Sequence, residues 1–140
     1  LTPILIFAEL TPEFLKPGAG SDRLMQFFRS WVSAWEGKDL ETYVGSYHTD
    51  FQAQGKNKDQ WRAYKRSLNQ RYGTIHVGPE DVRIYRHPKY SMITFSQNYH
   101  STLGTSKAVG HRSRGTKILT IAEEQGQPKI IAETYTTLMW

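Results

Sequence analysis

Residues 21–43 read SDRLMQFFRSWVSAWEGKDLETY, and this stretch carries the strongest structural signal in the chain. Its large apolar residues recur at steps of three and one, the spacing of one face of a helix. They are Leu24, Phe27, Phe28, Trp31, Val32 and Trp35. Ser21 is a favourable N-cap and Gly37 a common residue just past a helix end, so we predict a helix between them. A short second helix is expected after Asp39, with Leu40, Tyr43, Val44 and Tyr47 facing inward.

A third helix is predicted further along the chain. Asn57 followed three residues later by Gln60 has the spacing of a capping box. The expected buried stripe of this helix is Trp61, Tyr64, Leu68 and Tyr72, and Gly73 ends it. Before this helix, the alternation over residues 51–54 predicts a short strand.

After Gly73 the apolar period changes from helical to two, which indicates strands. Four are predicted, at about 74–86, 90–103, 107–123 and 128–138. Helices followed by consecutive strands favour an α+β fold, in which the helices pack on one face of an antiparallel sheet. In the second of these strands, Ile93, Phe95, Gln97 and Tyr99 share the more apolar face, which we place inside.

The length of 140 residues fits one domain, which we place at residues 21–138. Residues 1–20 contain three prolines and end in Gly-Ala-Gly, so we expect an N-terminal arm or linker there. The chain begins with Leu1 rather than Met, and we expect it to be a piece of a longer protein. The absence of cysteine excludes disulfides, thiol catalysis and cysteine-ligated metals. The longest apolar run is far shorter than the ~20 residues of a membrane span.

Several short motifs occur in a recognisable order. They are Trp31-x-x-Ala34-Trp35-x-x-Lys38-Asp39-Leu40-x-x-Tyr43, Tyr47-x-x-Asp50-Phe51, Trp61 with Arg62 and Arg66, Phe95-x-Gln97-x-Tyr99, Gly115-Thr116-Lys117-x-Leu119 and Ile131-x-Glu133. Together they resemble the NTF2-like (SnoaL-like) superfamily over residues 21–138. Within it, the sequence is most similar to the NTF2-like domain attached to L,D-transpeptidases of the Cds6 type.

The resemblance implies three N-terminal helices packed on a strongly curved antiparallel sheet, which forms a cone with a pocket. It implies an accessory domain of a bacterial envelope protein that handles peptidoglycan, in the periplasm or cell envelope. A cytoplasmic location stays open. Such domains have no agreed catalytic residues, so we assign none, and we expect neither a cofactor nor a metal. The expected partners are a small molecule or peptidoglycan fragment in the pocket, and a catalytic domain of the parent protein.

Gln97, Lys117 and Glu133 should point to the concave side of the sheet if the strands pair as predicted. A buried lysine and glutamate need each other, because an isolated buried charge is costly. Two interpretations stay open. The three residues form either a structural ion pair that sets the register or a polar floor that orients a ligand. Tyr47, Tyr99 and Trp61 are the aromatic candidates for the same pocket, although packing in the core explains such rings equally well.

An alternative function is a small-molecule isomerase or cyclase of the ketosteroid-isomerase or SnoaL kind. It requires a general base that faces an apolar pocket, and His48 and Asp50 are the candidates. A second alternative is a dimerisation module. It would use the outer sheet face, which carries Met92, Thr94, Ser96, Thr116, Ile118 and Thr120.

Eighteen basic and thirteen acidic residues give a net charge of +5. Basic residues cluster on the third helix, and we predict that Lys58, Arg62, Lys65 and Arg66 form a contact surface for an acidic partner. A solvated helix face explains the same pattern. No RRM, KH or helix-turn-helix pattern accompanies the charge, which argues against nucleic acid.

Overall fold

The computed structural model describes residues 11–14, 23–104 and 108–138, with side chains from residue 23 onward. Its three helices are α1 (Arg23–Glu36), α2 (Leu40–Gly45) and α3 (Lys58–Arg71). The three predicted helices are therefore confirmed, whereas the proposed N-cap Ser21 lies outside the described residues. Asp39 caps α2 by accepting a hydrogen bond from the Thr42 backbone N–H. Asn57 and Gln60 form the predicted capping box of α3.

Seven strands form one sheet. They are β1 (Thr11–Phe14), β2 (Tyr47–Gln52), β3 (Tyr72–His76), β4 (Pro79–Arg86), β5 (Ser91–Leu103), β6 (Val109–Glu124) and β7 (Gln127–Thr137). The order is β1-β4-β5-β6-β7-β2, and β3 also pairs with β5. All pairs are antiparallel except β2 with β7, which is parallel. The curved sheet and three helices confirm the predicted α+β cone of the NTF2-like type.

Two strand boundaries differ from the prediction. The expected strand over 74–86 is two strands, because the chain turns between them at Gly78, where φ is +59°. A Cβ at Gly78 would lie 2.7 Å from the carbonyl oxygen of Asn98, so a side chain there would prevent the close approach of this turn to β5. The short strand expected over 51–54 instead spans Tyr47–Gln52. Tyr47 therefore belongs to β2 rather than to the inner side of the second helix.

Part of the predicted N-terminal arm is a strand. Residues 11–14 form β1, which pairs with β4 in antiparallel register, Thr11 opposite Arg86. The remainder of residues 1–20 lies outside the described residues. Among the residues that are described, no helix is both long and apolar enough to cross a membrane.

The core lies between the helices and the concave face of the sheet and is rich in aromatic rings. Phe28 of α1 packs edge-on against Phe95 of β5, with ring centroids 5.0 Å apart. Trp31 is fully buried and contacts the same Phe95 ring at 6.0 Å. Ile93, Phe95, Gln97 and Tyr99 are all buried, as predicted for the inner face of this strand. Large rings thus fill much of the core, and a cavity remains beside α3.

Candidate functional site

A cavity of about 310 Å³ lies between α3 and the concave face of the sheet. Four of the predicted pocket residues line it, namely Trp61, Gln97, Tyr99 and Lys117. The other two, Tyr47 and Glu133, are buried behind its wall rather than in it. Further lining residues that the sequence did not predict for the pocket include Trp35, Lys65, Arg71, His111 and Tyr135.

Lys117 and Glu133 form the predicted buried ion pair. The Nζ atom of Lys117 lies 3.1 Å from Oε1 of Glu133, and both side chains are almost fully buried. Neighbouring strands bring them together, because Lys117 faces Tyr135 and Leu119 faces Glu133 in the β6–β7 register. The pair is therefore diagonal across the two strands and shields the negative charge of Glu133 from the core.

A hydrogen-bond network ties Glu133 to the helices. The Tyr47 hydroxyl donates to Oε2 of Glu133 at 2.8 Å and lies 2.8 Å from the Tyr43 hydroxyl. The indole N–H of Trp31 donates to Tyr47, and that of Trp61 donates to Tyr43. Burial raises the pKa of both tyrosines well above its usual range, and the charge of Glu133 raises it further.

Both carboxylate oxygens of Glu133 thus have partners within the fold. This geometry fits the structural interpretation of Lys117 and Glu133. The side-chain amide oxygen of Gln97 is buried without a hydrogen-bond partner among the described residues, so Gln97 lies outside this network. Buried polar groups normally have a partner, so this oxygen at the cavity wall fits the polar-floor interpretation of Gln97.

Lys65 differs from the prediction, which places it on the exposed basic surface of the third helix. It is 7% exposed and points into the cavity. Its Nζ atom lies 4.3 Å from the ring centroid of Trp35 and 5.1 Å from that of Trp61. Tyr43 and Tyr64 approach the same nitrogen at 5.6 and 5.8 Å. The helical period explains the position, because Lys65 follows Trp61 by four residues and so shares its inward face.

Lys65 is an amine without an anionic partner. Within the described part of the chain, its Nζ atom makes neither an ion pair nor a hydrogen bond and lies over the faces of four aromatic rings. Burial lowers its pKa from 10.5 to about 7, and the positive charge of Lys117 contributes to the same effect. Glu133 acts in the opposite direction but is a smaller influence. Lys65 is therefore partly neutral at physiological pH.

Trp35 connects the two lysines. Its ring centroid is 4.3 Å from Nζ of Lys65 and 5.3 Å from Nζ of Lys117. The Tyr135 ring also approaches Lys117, at 5.4 Å. The Tyr135 ring can occupy this position because residue 115 is glycine and has no side chain. A Cβ at Gly115 would come within 2.8 Å of the Tyr135 ring and 2.3 Å of the Thr136 carbonyl oxygen. The aromatic faces partly offset the cost of burying these cations.

The two alternative general bases do not face this cavity. Asp50 is exposed on β2, and His48 lies beside Glu124 with 3.9 Å between Nδ1 and a carboxylate oxygen. Neither residue lines the cavity. The alternation of β2 explains this, because Tyr47 and Phe51 point into the core and His48 and Asp50 point away from it. A pocket base at His48 or Asp50 is therefore inconsistent with the structure.

The remaining basic residues of α3 do lie on the surface. Arg66 is exposed, whereas Lys58 and Arg62 are half-buried. Arg62 forms an ion pair with Glu41 of α2, with 3.1 Å between Nη1 and Oε1. The surface therefore carries less free positive charge than its sequence indicates.

The outer sheet face proposed for dimerisation is also less available than predicted. Met92 is 1% exposed and packs with Tyr85, Tyr90 and Ile118. Thr120 is buried as well.

In the described ranges, no three His, Asp or Glu side chains cluster as metal ligands would.

The sequence from residue 23 to residue 134 matches the family described as the Cds6 C-terminal NTF2-like domain. The chain belongs to this family. The match covers the helices, most of the sheet and every residue that lines the cavity except Tyr135. A comparison with curated proteins gives no significant match.

Several solved structures resemble this domain. Bd1075 of Bdellovibrio bacteriovorus is 28% identical, with a TM-score of 0.74, over 83% of this chain and 40% of that protein. A second structure is the K307A variant of Pgp2, the helical cell shape determining protein of Campylobacter jejuni. It is 22% identical, with a TM-score of 0.65, and the match covers 79% of this chain and 39% of that protein. The chain thus spans about two fifths of the length of these two proteins.

A third similar structure is a protein of Novosphingobium aromaticivorans proposed to be a scytalone dehydratase. It is 10% identical, with a TM-score of 0.71, and the match covers 84% of this chain and 83% of that protein. At this identity the likeness concerns the fold alone.

Proposed function

We propose that this domain is a non-catalytic ligand-binding module of a cell-envelope protein that handles peptidoglycan. The observation that carries the proposal is the cavity beside α3, in which the side-chain oxygen of Gln97 is buried without a partner among the described residues and the Lys65 amine lies against aromatic rings. Buried polar groups normally have partners, so groups left without one at a cavity wall are suited to a ligand. Aromatic side chains supply the rest of a binding wall.

The likeness to Pgp2 supports the envelope part of this proposal. Pgp2 is a cell shape determining protein, and the chain matches only part of it. We propose that this domain accompanies a catalytic domain in a longer protein. The half-buried and exposed basic residues of α3, Lys58, Arg62 and Arg66, would then provide a contact surface toward that domain or toward an anionic polymer.

A titration followed by ¹H–¹⁵N NMR tests the proposal. Soluble peptidoglycan fragments are added to the labelled protein, and the expected shifts are at Tyr99, Lys117 and the indole N–H of Trp35. Resonances of His48 and Asp50 should not move, because these residues lie away from the cavity. Shifts confined to α3 surface residues, or no shifts, would contradict binding in the cavity.

A pair of matched variants makes the test specific to the cavity. Leu68 lines the cavity and Gln70, on the same helix, is exposed and does not. We expect Leu68→Trp to fill part of the cavity and to abolish the shifts, whereas Gln70→Trp adds the same ring outside and leaves them. Equal loss in both variants would indicate damage to α3 rather than a blocked site.

A second candidate function is a small-molecule isomerase. The observation that favours it is the Lys65 amine, whose pKa of about 7 suits a general base that faces an aromatic cavity. Incubation with a β,γ-unsaturated cyclic ketone in D₂O tests it by following deuterium incorporation at the α-carbon. Exchange by the natural protein that Lys65→Met abolishes would favour the enzyme. No exchange above the Lys65→Met level would exclude this reaction.

A further inference from the structure

The cavity contains more positive than negative charge, and this imbalance identifies the chemical class of its ligand. We propose that the ligand carries a carboxylate that forms an ion pair with Lys65, so that the site selects a monoanionic ligand over its neutral counterpart. This inference rests on the proposed function, because it specifies the ligand of the same cavity.

The charges of the described residues support a carboxylate. Lys65 and Lys117 are both buried, whereas Glu133 is the one buried carboxylate beside them. Both oxygens of Glu133 are already bound, one by Lys117 and one by Tyr47. A surplus of one positive charge therefore remains on Lys65. A buried charge without a partner is strongly unfavourable, and a carboxylate from a ligand would remove that cost.

The nearby Glu133 also favours a monoanion over a dianion. It lies 3.1 Å from Lys117, so a phosphate close to both lysines would meet a negative charge that no further buried cation balances. The volume of about 310 Å³ is at the small end of ligand cavities. It suits one sugar ring or two small amino-acid residues. The amide of Gln97 can accept a hydrogen bond from an N–H of such a ligand.

Binding of an anion here should be coupled to protonation of Lys65. Charged and titratable groups face Lys65 from six elements. They are Lys117 and His111 of β6, Glu133 and Tyr135 of β7, Arg71 and Tyr64 of α3, Tyr43 of α2, Tyr72 of β3 and Tyr99 of β5. α1 contributes only the uncharged Trp35. Burial raises the pKa of Tyr43 and of Tyr99, so these hydroxyls stay neutral near pH 7. Lys65 is then the group whose proton an incoming carboxylate would stabilise.

Two pairs of probes test the inference because peptidoglycan offers two kinds of carboxylate. N-acetyl-D-alanyl-D-alanine represents the peptide terminus and N-acetylmuramic acid the lactyl group of the sugar. Each is compared with its own amide by NMR titration. We expect at least one acid to bind about tenfold or more tightly than its amide, since charge-assisted hydrogen bonds are the stronger ones. Whichever acid does so identifies the source of the carboxylate.

The pH dependence and two variants complete the test. The affinity of that acid should fall about tenfold or more between about pH 6 and pH 8.5, because above pH 7 binding must first protonate Lys65. Lys65→Met should remove both the preference for the acid and the pH dependence. Lys89→Met, which removes an exposed lysine from the turn between β4 and β5, away from the cavity, should keep both. His111 also faces the cavity, so a pH dependence that survives in Lys65→Met would overturn the assignment to Lys65.

The outcomes separate this inference from the proposed function. If an acid and its amide bind equally in the cavity, the carboxylate inference is wrong and the ligand-binding function stands. If peptidoglycan fragments shift cavity resonances but neither acid does, the inference is again wrong. If neither fragments nor acids bind, both proposals fall.

Discussion

Replacing Lys65 by methionine should make the protein more stable, and the gain should depend on pH. In the folded protein, burial and Lys117 lower the pKa of Lys65 from 10.5 to about 7. A tenfold change in proton affinity is worth about 1.4 kcal/mol, so keeping Lys65 protonated in the fold costs up to ~5 kcal/mol. Aromatic contacts return part of that cost, and we expect Lys65→Met to gain about 2–4 kcal/mol at pH 6.

The sign of the pH effect follows from proton binding. Between pH 7 and pH 10.5 the unfolded chain keeps the Lys65 proton while the folded protein releases it, since the folded pKa is the lower one. The unfolded state then binds more protons, so the stability of the natural protein rises with pH over this window. Lys65→Met lacks this group, and its advantage should therefore shrink by about 1–3 kcal/mol between pH 6 and pH 9.

Urea denaturation followed by tryptophan fluorescence at pH 6, 7.5 and 9 measures the effect. The difference between the natural protein and Lys65→Met cancels the contribution of the five histidines, which are the same in both. Lys58→Met serves as the control, because this change removes the same charge from α3 outside the cavity. Parallel pH profiles for the natural protein and Lys65→Met, within about 0.5 kcal/mol, would refute the argument that Lys65 is a buried, unpaired amine.

Three further predictions concern the residues around the cavity. Glu133→Gln should destabilise the fold by about 2–4 kcal/mol in urea denaturation, because it leaves the buried Lys117 without its anion; a loss below about 0.5 kcal/mol would contradict this. Tyr47→Phe should cost about 1–2 kcal/mol, since it removes the hydroxyl that donates to Glu133, and an unchanged midpoint would show that this hydrogen bond is not formed. Asp50→Asn should change neither the stability of the fold nor the NMR shifts on ligand addition, and a loss of binding would show that Asp50 takes part in the site.

The sequence predicted the elements that depend on local pattern. The apolar face of α1, the caps Asp39 and Asn57 and the inner face of β5 were all found, because each is set by spacing along the chain. The pairing of Lys117 with Glu133 was also predicted. It required only that two strands be antiparallel and that both side chains face the concave side.

The features that were missed depend on contacts between distant parts of the chain. The parallel pairing of β2 with β7 joins residues that no local signal connects. The turn at Gly78 is fixed by the close approach of Asn98, twenty residues later. Lys65 was assigned to the surface because of its charge, although its spacing from Trp61 places it on the inward face of α3. The charge of Lys65 favours the surface, whereas its helical period favours the inward face, and its burial agrees with the period.

The position of Lys65 separates a structural from a functional explanation of this cavity. Lys117 and Glu133 satisfy each other and the tyrosine network, so they explain how the wall is held together without any ligand. Lys65 contributes nothing to that network, and methionine could fill the same volume without burying a charge. Lys65 lowers the stability of the fold and points into an open cavity. Ligand binding therefore explains its position better than a structural role does. If Lys65→Met is more stable and also loses its preference for carboxylates, both parts of this argument hold together. If it is more stable and binds as before, Lys65 is only a cost to the fold.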